Sequence, residues 1–296
     1  MTQIEQATDT VPVEPAAPTP AIRGGRSGRA ATALGVGVGT LWLSVIVLIP
    51  IAAVVASAFG DGWAAFWHAV TTDAAMSSLQ ITVETSLIVT VINAVVGVQI
   101  AWTLTRDTFP GKGLLDALID LPFALPTIVA SLVLLALYGP ASPVGIQVQH
   151  TKIALVIALL FVTLPFVVRT VQPVMLELER ESEQAAATLG ASRATILRLI
   201  ILPSLAPALL SGAGLAFSRA IGEFGSLVLI GGGIPKKTEV SSQYIRSLIE
   251  QDSPQEAAAV AVVLLALSFV TLFALRVGAD LLSRREAPTS AFSASS

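Results

Sequence analysis

The sequence predicts an all-α polytopic membrane protein with six membrane-crossing helices. Three observations carry that prediction. The chain is 54% hydrophobic and only 12% charged, with a mean hydropathy of +0.79, which leaves too little charge to coat a soluble domain of this length. Six stretches come close to or exceed the roughly 20 apolar residues that a helix needs to cross the hydrocarbon. No ten-residue alternation suggests a β-barrel, and backbone polar groups in lipid must be satisfied inside the segment, so the stretches read as helices.

Residues 1–33 come first, rich in Thr, Pro and Ala and without an apolar period; they read as a disordered cytoplasmic tail. The alternative is a signal peptide ending at Ala56-Ser57-Ala58, but the apolar run is too long for an h-region and more spans follow. The first span, 34–58, holds Gly35, Gly37 and Gly39. These resemble a fragment of a dinucleotide fingerprint but lack a preceding strand, so they read as helix-packing positions. The other spans are predicted at 79–104, 121–139, 153–171, 205–230 and 257–278.

Lys and Arg set the orientation. Arg23, Arg26 and Arg29 precede span one, Arg106 and Lys112 follow span two, Arg169, Arg180, Arg193 and Arg198 flank the loop after span four, and Arg276, Arg284 and Arg285 end the chain. The opposite side holds Lys152, Lys236, Lys237 and Arg246, and the outer loop 59–78 holds no Lys or Arg. The positive-inside rule places both termini, including a short tail 281–296, in the cytoplasm.

Several classes are excluded. The chain has no cysteine, and its two histidines, His68 and His150, have no partner at metal-ligand spacing. A net charge of −3 without a basic face argues against nucleic acid. The two histidines fall in outer loops and no H-E-x-x-H occurs, so an intramembrane enzyme is disfavoured. No P-loop is present: Gly111-Lys112-Gly113 lacks the earlier glycine and the following hydroxyl. Any ATP-derived energy must come from a partner.

The most informative segment is the inner loop 172–204, two helix-like stretches broken at Gly190. Ser192 can cap the second, Ile196, Leu199 and Ile200 recur at helical spacing, and Pro203 is expected to stop it before span five. Such an amphipathic hairpin suits either a groove on another protein or the lipid headgroups.

This segment resembles the E-A-A-x3-G-x9-I-x-L-P loop of ABC-importer permeases, carried here by Gln184, Ala185, Ala186, Gly190, Ile200, Leu202 and Pro203. The resemblance spans about 77–280 and implies a type I ABC-importer permease fold. It also implies that the loop is a coupling helix seated in an ABC ATPase subunit, which would bind the ATP and Mg. The family glutamate falls on Gln184. Glu183 lies one residue earlier, about 100° away around the helix.

Polar residues inside spans are costly. Arg219 is placed near the middle of span five, where a charge costs about 2.5–3.5 kcal/mol, with Glu223 one turn on. The two read either as a self-neutralised structural pair or as an anion-attracting group gated by its carboxylate. Gly214, Ser218, Gly222 and Ser226 recur every four residues and predict a close helix crossing. Ser86, Thr90, Asn93 and Gly97 share one face of span two, as interhelical hydrogen-bond groups or as pore lining. Pro122 and Pro126 break the start of span three, either as a hinge or as an irregular first turn that lines a cavity.

Three stretches resemble sulfate/thiosulfate permeases of the CysT type: 120–126, 219–226, and Lys237-Thr238-Glu239-Val240 running into Tyr244. Molybdate permeases share the Gly-Glu-Phe-Gly run but are usually shorter, without a comparable first span; molybdate or tungstate is the alternative cargo. The resemblance implies a bacterial inner-membrane complex with a second, CysW-like permease, two ATPase subunits and an extracytoplasmic sulfate-binding protein received by the outer loops, above all 231–256. An ion-gradient-driven secondary transporter is the rival class, and the long docking loop disfavours it.

Overall fold

A computed structural model describes the backbone of residues 26–178 and 180–286, and the side chains of residues 34–178 and 181–281. All regular elements among them are helical: α1 (Arg26–Leu43), a π-turn, α2 (Ile49–Ala58), α3 (Trp63–Thr71), α4 (Asp73–Arg106), α5 (Lys112–Ala124), α6 (Thr127–Tyr138), α7 (Lys152–Glu177), α8 (Arg180–Thr188), α9 (Arg193–Ile196), a second π-turn, α10 (Leu202–Ile221), a 3₁₀ turn, α11 (Ser241–Glu250) and α12 (Pro254–Glu286). By contact the chain divides into two units after Ile51.

In the first unit, helix begins at Arg26, so residues 26–33, assigned to the tail, are helical instead; the rest of that tail lies outside the described residues. No atom lies within 4 Å of where a Cβ would stand on Gly35, Gly37 or Gly39, so the expected packing role finds no contact here.

The second unit is built on α4, α7, α10 and α12. Thr72 and Thr151 cap α4 and α7, each side chain accepting from an N–H three residues on, Ala75 at 3.2 Å and Ala154 at 3.3 Å. The two helices run parallel, and their contacts keep nearly one offset along the chain. Lys152 pairs with Glu84 at 2.7 Å, and Asn93 Nδ2 donates to Thr163 Oγ1 at 2.8 Å. A Cβ on Gly97 would stand 2.7 Å from Val167 Cγ1. Gly212 of α10 approaches the same stretch, where a Cβ would lie 3.1 Å from Val167 Cα. Val167 is therefore held between two glycines on neighbouring helices. In lipid no hydrophobic force draws helices together, so such close approach and interhelical hydrogen bonds supply the cohesion. On the other side of α10, Gly214 meets Leu272 and Leu275 of α12, which is the close crossing predicted for that position.

Among the described residues five helices are long and apolar enough to cross a membrane, and α5 with α6 makes a sixth span if that pair, bent by 117°, is counted as one. The break falls at Leu125-Pro126. Pro126 cannot donate and stands as the N-cap of α6, while Pro122 lies in the last turn of α5. Span three thus starts nine residues earlier than expected.

Three further expectations are corrected. Pro203 does not stop the helix: Arg193–Ile221 is helical throughout. A π-turn at Leu197–Ile201 shifts the register, so that the Leu202 N–H bonds to the Leu197 carbonyl five residues back. The Ser204 hydroxyl then donates to the Ile200 carbonyl at 2.8 Å, where the proline removed a donor nearby. Pro50 shows the same device, with a π-turn at Ser44–Leu48 just before it. Span five ends at Ile221, not 230, because Gly222 caps α10; the small-residue stripe is helical only through Ser218, and Ser226 lies on the 3₁₀ turn. Arg219 is therefore in the last turn of α10, not in its middle. The predicted loops also carry helix: α7 extends to Glu177, α3 and α11 occupy two of the three loops predicted to be outer, and α12 reaches Glu286, inside the segment assigned to the C-terminal tail.

Candidate functional site

Two regions at opposite ends of α7 concentrate the residues singled out by the sequence. At 1.5 Å per residue, the 26 residues of α7 separate them by about 38 Å.

The first is the hairpin α8–α9. Helix α8 closes with a Schellman motif: the Gly190 N–H bonds to the Ala187 carbonyl at 3.0 Å and the Ala191 N–H to the Ala186 carbonyl at 3.0 Å. Gly190 has φ +85°, a conformation open to glycine and costly for other residues. Ser192 then caps α9, its hydroxyl accepting from the Thr195 N–H at 3.2 Å. The hairpin has two faces. Ile196 and Ile201 are buried in one cluster with Leu104 of α4, Val167, Val171 and Met175 of α7, and Leu205 of α10, with Ala186 and Ile200 packed at its edge. Gln184, Ala185, Gly190 and Leu202 are exposed, as is Leu189 at 88%; Leu199, expected to share the inner face, is exposed too.

Glu183 has a role that linear spacing did not reveal. Its carboxylate accepts from Arg106 Nη2 at 2.6 Å, in a half-buried pair, and the Arg106 guanidinium lies over the Trp102 ring. The last turn of α4 is thereby tied to α8. A second clasp lies two turns back along α7. Arg169 donates to both oxygens of Asp120 (2.8 and 2.6 Å), to Asp116 Oδ1 (2.7 Å), to the Asp116 carbonyl (2.9 Å) and to Gln172 Oε1 (2.7 Å). All five N–H groups of the guanidinium are used, which fixes α5 against α7 just before the Pro122–Pro126 break. Arg169 had been read only as an orientation marker. The i,i+4 spacing of Asp116 and Asp120 was visible in the sequence, but no pattern linked it to a residue about 50 positions on.

The second region follows α10. Arg219 pairs with Glu223, which is buried. The other Glu223 oxygen accepts from the Ser226 N–H at 2.9 Å, and the Glu223 carbonyl accepts from the Ser242 hydroxyl at 2.7 Å. Residues 222–240 are a folded, mostly non-helical segment rather than membrane helix. Ser131 of α6 accepts from the Leu229 and Ile230 N–H groups at 3.1 and 3.2 Å, and the His150 N–H bonds to the Ile230 carbonyl at 2.8 Å. Thr82 of α4 accepts from the Ser241 N–H at 2.8 Å. Gly225 has no room for a side chain: a Cβ would stand 2.1 Å from Thr127 Oγ1, beside the Pro126 break. The segment thus bridges α4, α6 and the start of α7.

The polar face of span two is used internally. Thr90 donates to the Ser86 carbonyl at 2.7 Å and Asn93 to Thr163, while Ser86 Oγ is buried without a hydrogen-bond partner among the described residues. Glu239 is buried just before α11, outside the candidate spans, and burial pushes its carboxyl above the ordinary carboxylate range.

Residues 94–286 match the family described as binding-protein-dependent transport system inner membrane component. The chain is also 40% identical over 259 residues to the sulfate transport system permease proteins CysT of Salmonella typhimurium (strain LT2) and Escherichia coli (strain K12), covering 85% of this chain and 94% of each relative. The CysT protein of Synechocystis sp. (strain PCC 6803) is 40% identical over 239 residues, 78% of this chain and 84% of that relative. In structure the chain is similar to a subunit of a bacterial alginate ABC transporter solved with an alginate pentasaccharide-bound periplasmic protein: TM-score 0.70, 15% identity, 87% of this chain and 96% of that one. It is also similar to a chain of the inward-facing MetNI methionine ABC transporter, with TM-score 0.54, 18% identity, and 72% and 99% coverage. The fold is that of type I ABC-importer permeases. The chain belongs to the family of binding-protein-dependent inner-membrane transport components, and within it groups with the CysT permeases.

Proposed function

We propose that this chain is the membrane-spanning permease subunit of an ABC importer that carries sulfate and thiosulfate into the bacterial cytoplasm. ATP and Mg are bound by separate ATPase subunits, and a second, CysW-like permease completes the channel. The observation that carries this reading is the hairpin: an ordered α8–α9 finger that shares one buried cluster with α4, α7 and α10, on a chain 40% identical to CysT permeases over most of its length.

The geometry supports a lever. The exposed side of the finger, Gln184, Ala185 and Leu189, seats in a cleft of the ATPase. When ATP closes that cleft, the finger moves. Ile196 and Ile201 push on Met175 and Leu205, while the Arg106–Glu183 pair pulls the end of α4 along. A packed cluster transmits displacement rather than absorbing it, because interiors have little free volume. The helices then tilt about the contacts of Gly97 and Gly212 with Val167, and the opposite end changes its opening.

In this reading the hairpin end and both termini are cytoplasmic, and residues 222–253 face the binding protein. Anion selectivity resides mostly in that protein. The permease offers a polar route. Arg219, whose side chain keeps 35% of its surface exposed while Glu223 is buried, is the group most able to meet a passing oxyanion. Ser86, Thr90 and Asn93 are buried and serve the packing of α4, Asn93 tying it to Thr163 of α7, and Pro122 and Pro126 let α5 and α6 bend.

The test is reconstitution of the four-part complex with its binding protein in proteoliposomes. Sulfate should stimulate ATP hydrolysis and enter only with ATP inside the compartment that holds the ATPase. Equal stimulation by molybdate or tungstate would reassign the cargo, and uptake that follows a proton or sodium gradient without ATP would reject the importer reading.

A further inference from the structure

At the end of the molecule opposite the hairpin, among the described residues, an unpaired carboxylate and an unpartnered amide donor line one cleft. An open cavity of about 250 Å³ lies between the 222–240 segment and α11, with Phe224, Gly232, Glu239, Gln243, Arg246 and Glu250 among its walls. Glu239 is 8% exposed and Gln243 is 7% exposed. Among the described residues no ion pair or hydrogen bond reaches the Glu239 carboxylate. Arg246, the nearest cation along α11, is committed elsewhere: its Nε donates to Glu250 at 2.7 Å and its guanidinium lies over the Phe224 ring. Gln243 Oε1 accepts from the Val240 N–H at 3.4 Å, while its Nε2 has no partner.

Buried polar groups in native proteins are almost always hydrogen-bonded, and a buried carboxylate calls for a counter-charge. The cleft therefore offers an incoming group one free carboxylate and one free amide donor. Gly232 and Gly233, at φ +73° and +55°, form part of its wall, the side-chain space of Gly232 being taken by His150 and that of Gly233 bordering Gln243. A metal ion or a free amine would satisfy Glu239 but would leave Gln243 Nε2 without an acceptor. A peptide that presents a basic side chain satisfies both.

We propose that this cleft receives a Lys or Arg side chain carried on a loop of the extracytoplasmic binding protein. The cationic head pairs with Glu239, and a backbone carbonyl of the same loop accepts from Gln243 Nε2. The inference rests on the importer reading above, and it names the contact by which the docked binding protein reports to the permease. Through Phe224 the cleft adjoins Glu223 and the Arg219 pair. Through Gly232, packed on His150, it adjoins the start of α7.

The experiment uses the whole complex in nanodiscs, titrated with sulfate-loaded binding protein, with ATP hydrolysis as the readout. Glu239→Gln should raise the half-saturating concentration of binding protein about tenfold while the maximal rate is retained. The same variant should melt at a higher temperature than the wild type at pH 8, a gain in stability that a merely structural carboxylate contact would not give. Because the chain has no cysteine, Ser247→Cys at the cleft offers a single thiol. A membrane-impermeant maleimide should label it, and the binding protein should slow that labelling. A Glu239→Gln titration that overlays the wild type would overturn the proposal while leaving the importer reading intact. If Glu239→Gln does not assemble, the thiol decides, and absence of protection overturns the proposal. A wild-type complex that no sulfate-loaded binding protein stimulates would instead reject the importer reading.

Discussion

Gly190→Arg separates two explanations for the hairpin. The residue sits at φ +85°, where a side chain costs about 1–2 kcal/mol, or roughly a 5–30-fold shift in the population of the folded turn. Among the described residues nothing lies within 4 Å of a Cβ at this position, so the first atom of a new side chain meets no clash. Gly190→Ala carries the same backbone cost without the bulk, and the Schellman bonds from Gly190 and Ala191 remain available to it. If the exposed face of the hairpin seats in an ATPase cleft, Gly190→Ala should keep a measurable fraction of sulfate uptake. Gly190→Arg should abolish uptake with membrane insertion and thermal unfolding close to those of the Ala variant. The assay is ATP-driven sulfate uptake in proteoliposomes, with co-purification of the ATPase as the binding readout. Normal uptake by Gly190→Arg would refute the docking argument. Equal loss in both variants would assign the effect to backbone strain instead.

Glu183→Gln should uncouple the complex. The half-buried contact to Arg106 at 2.6 Å is worth about 1.5–3 kcal/mol as a charge-assisted hydrogen bond, and its loss should leave ATP hydrolysis running with reduced uptake, read as the ratio of sulfate moved to ATP cleaved. Arg219→Ala strands the buried Glu223 and should cost about 3–5 kcal/mol, seen as lost assembly; Arg219→Ala combined with Glu223→Gln should recover assembly, and uptake that stays low in that double variant marks Arg219 as a contact of the anion. Glu239→Gln should stabilise the permease at neutral pH. Because the folded-state carboxyl is held above its unfolded value, the wild type loses stability as pH rises through that interval, so the advantage of the variant should grow from acid to neutral pH in thermal unfolding scans and vanish at low pH.

The spans were legible because lipid demands long uninterrupted apolar runs, and 34–58 and 257–278 fall within described helix. The hairpin was legible because Gly190, Ser192 and the Ile196–Ile200 spacing are local signals, each readable within one turn. Illegible features were those set by register or by contacts distant in sequence. Pro203 looked like a terminator because a proline normally removes a bond, and only a π-turn upstream makes it compatible with a continuous helix. Span five looked 26 residues long because 222–230 is as apolar as a helix, yet Gly225 packs on Thr127, and just beyond it Gly231 and Gly232 pack on Leu155 and His150. The candidate site was divided in the same way: Gly190 and Gln184 could be chosen from a motif, whereas Arg106–Glu183 and Arg169–Asp116–Asp120 join elements 77 and about 50 residues apart.

In the proposed lever, these long-range contacts are the route by which a finger at one end would act at the other. α7 is the shared element. Its last turns, with Met175 and Val171, belong to the cluster under the hairpin. Its middle is gripped by Gly97 and Gly212 around Val167. Its first turn, with Leu155 and Ala158, belongs to a second cluster with Leu227, Ile230 and Val240 from the 222–240 segment. A displacement of the hairpin cannot be absorbed at Val167, where a single added methyl would collide with its neighbour. It must tilt α7, bend it at Pro165 or Pro173, or break the α5 clasp at Arg169. Four hydrogen bonds to Asp116 and Asp120 hold that clasp, so the bend at Pro126 is where the adjoining span can yield. In the proposed lever the α5–α6 kink is one compliant point, and Pro165 and Pro173 inside α7 give that helix two more. The proline break and the saturated arginine are two halves of a single mechanical arrangement.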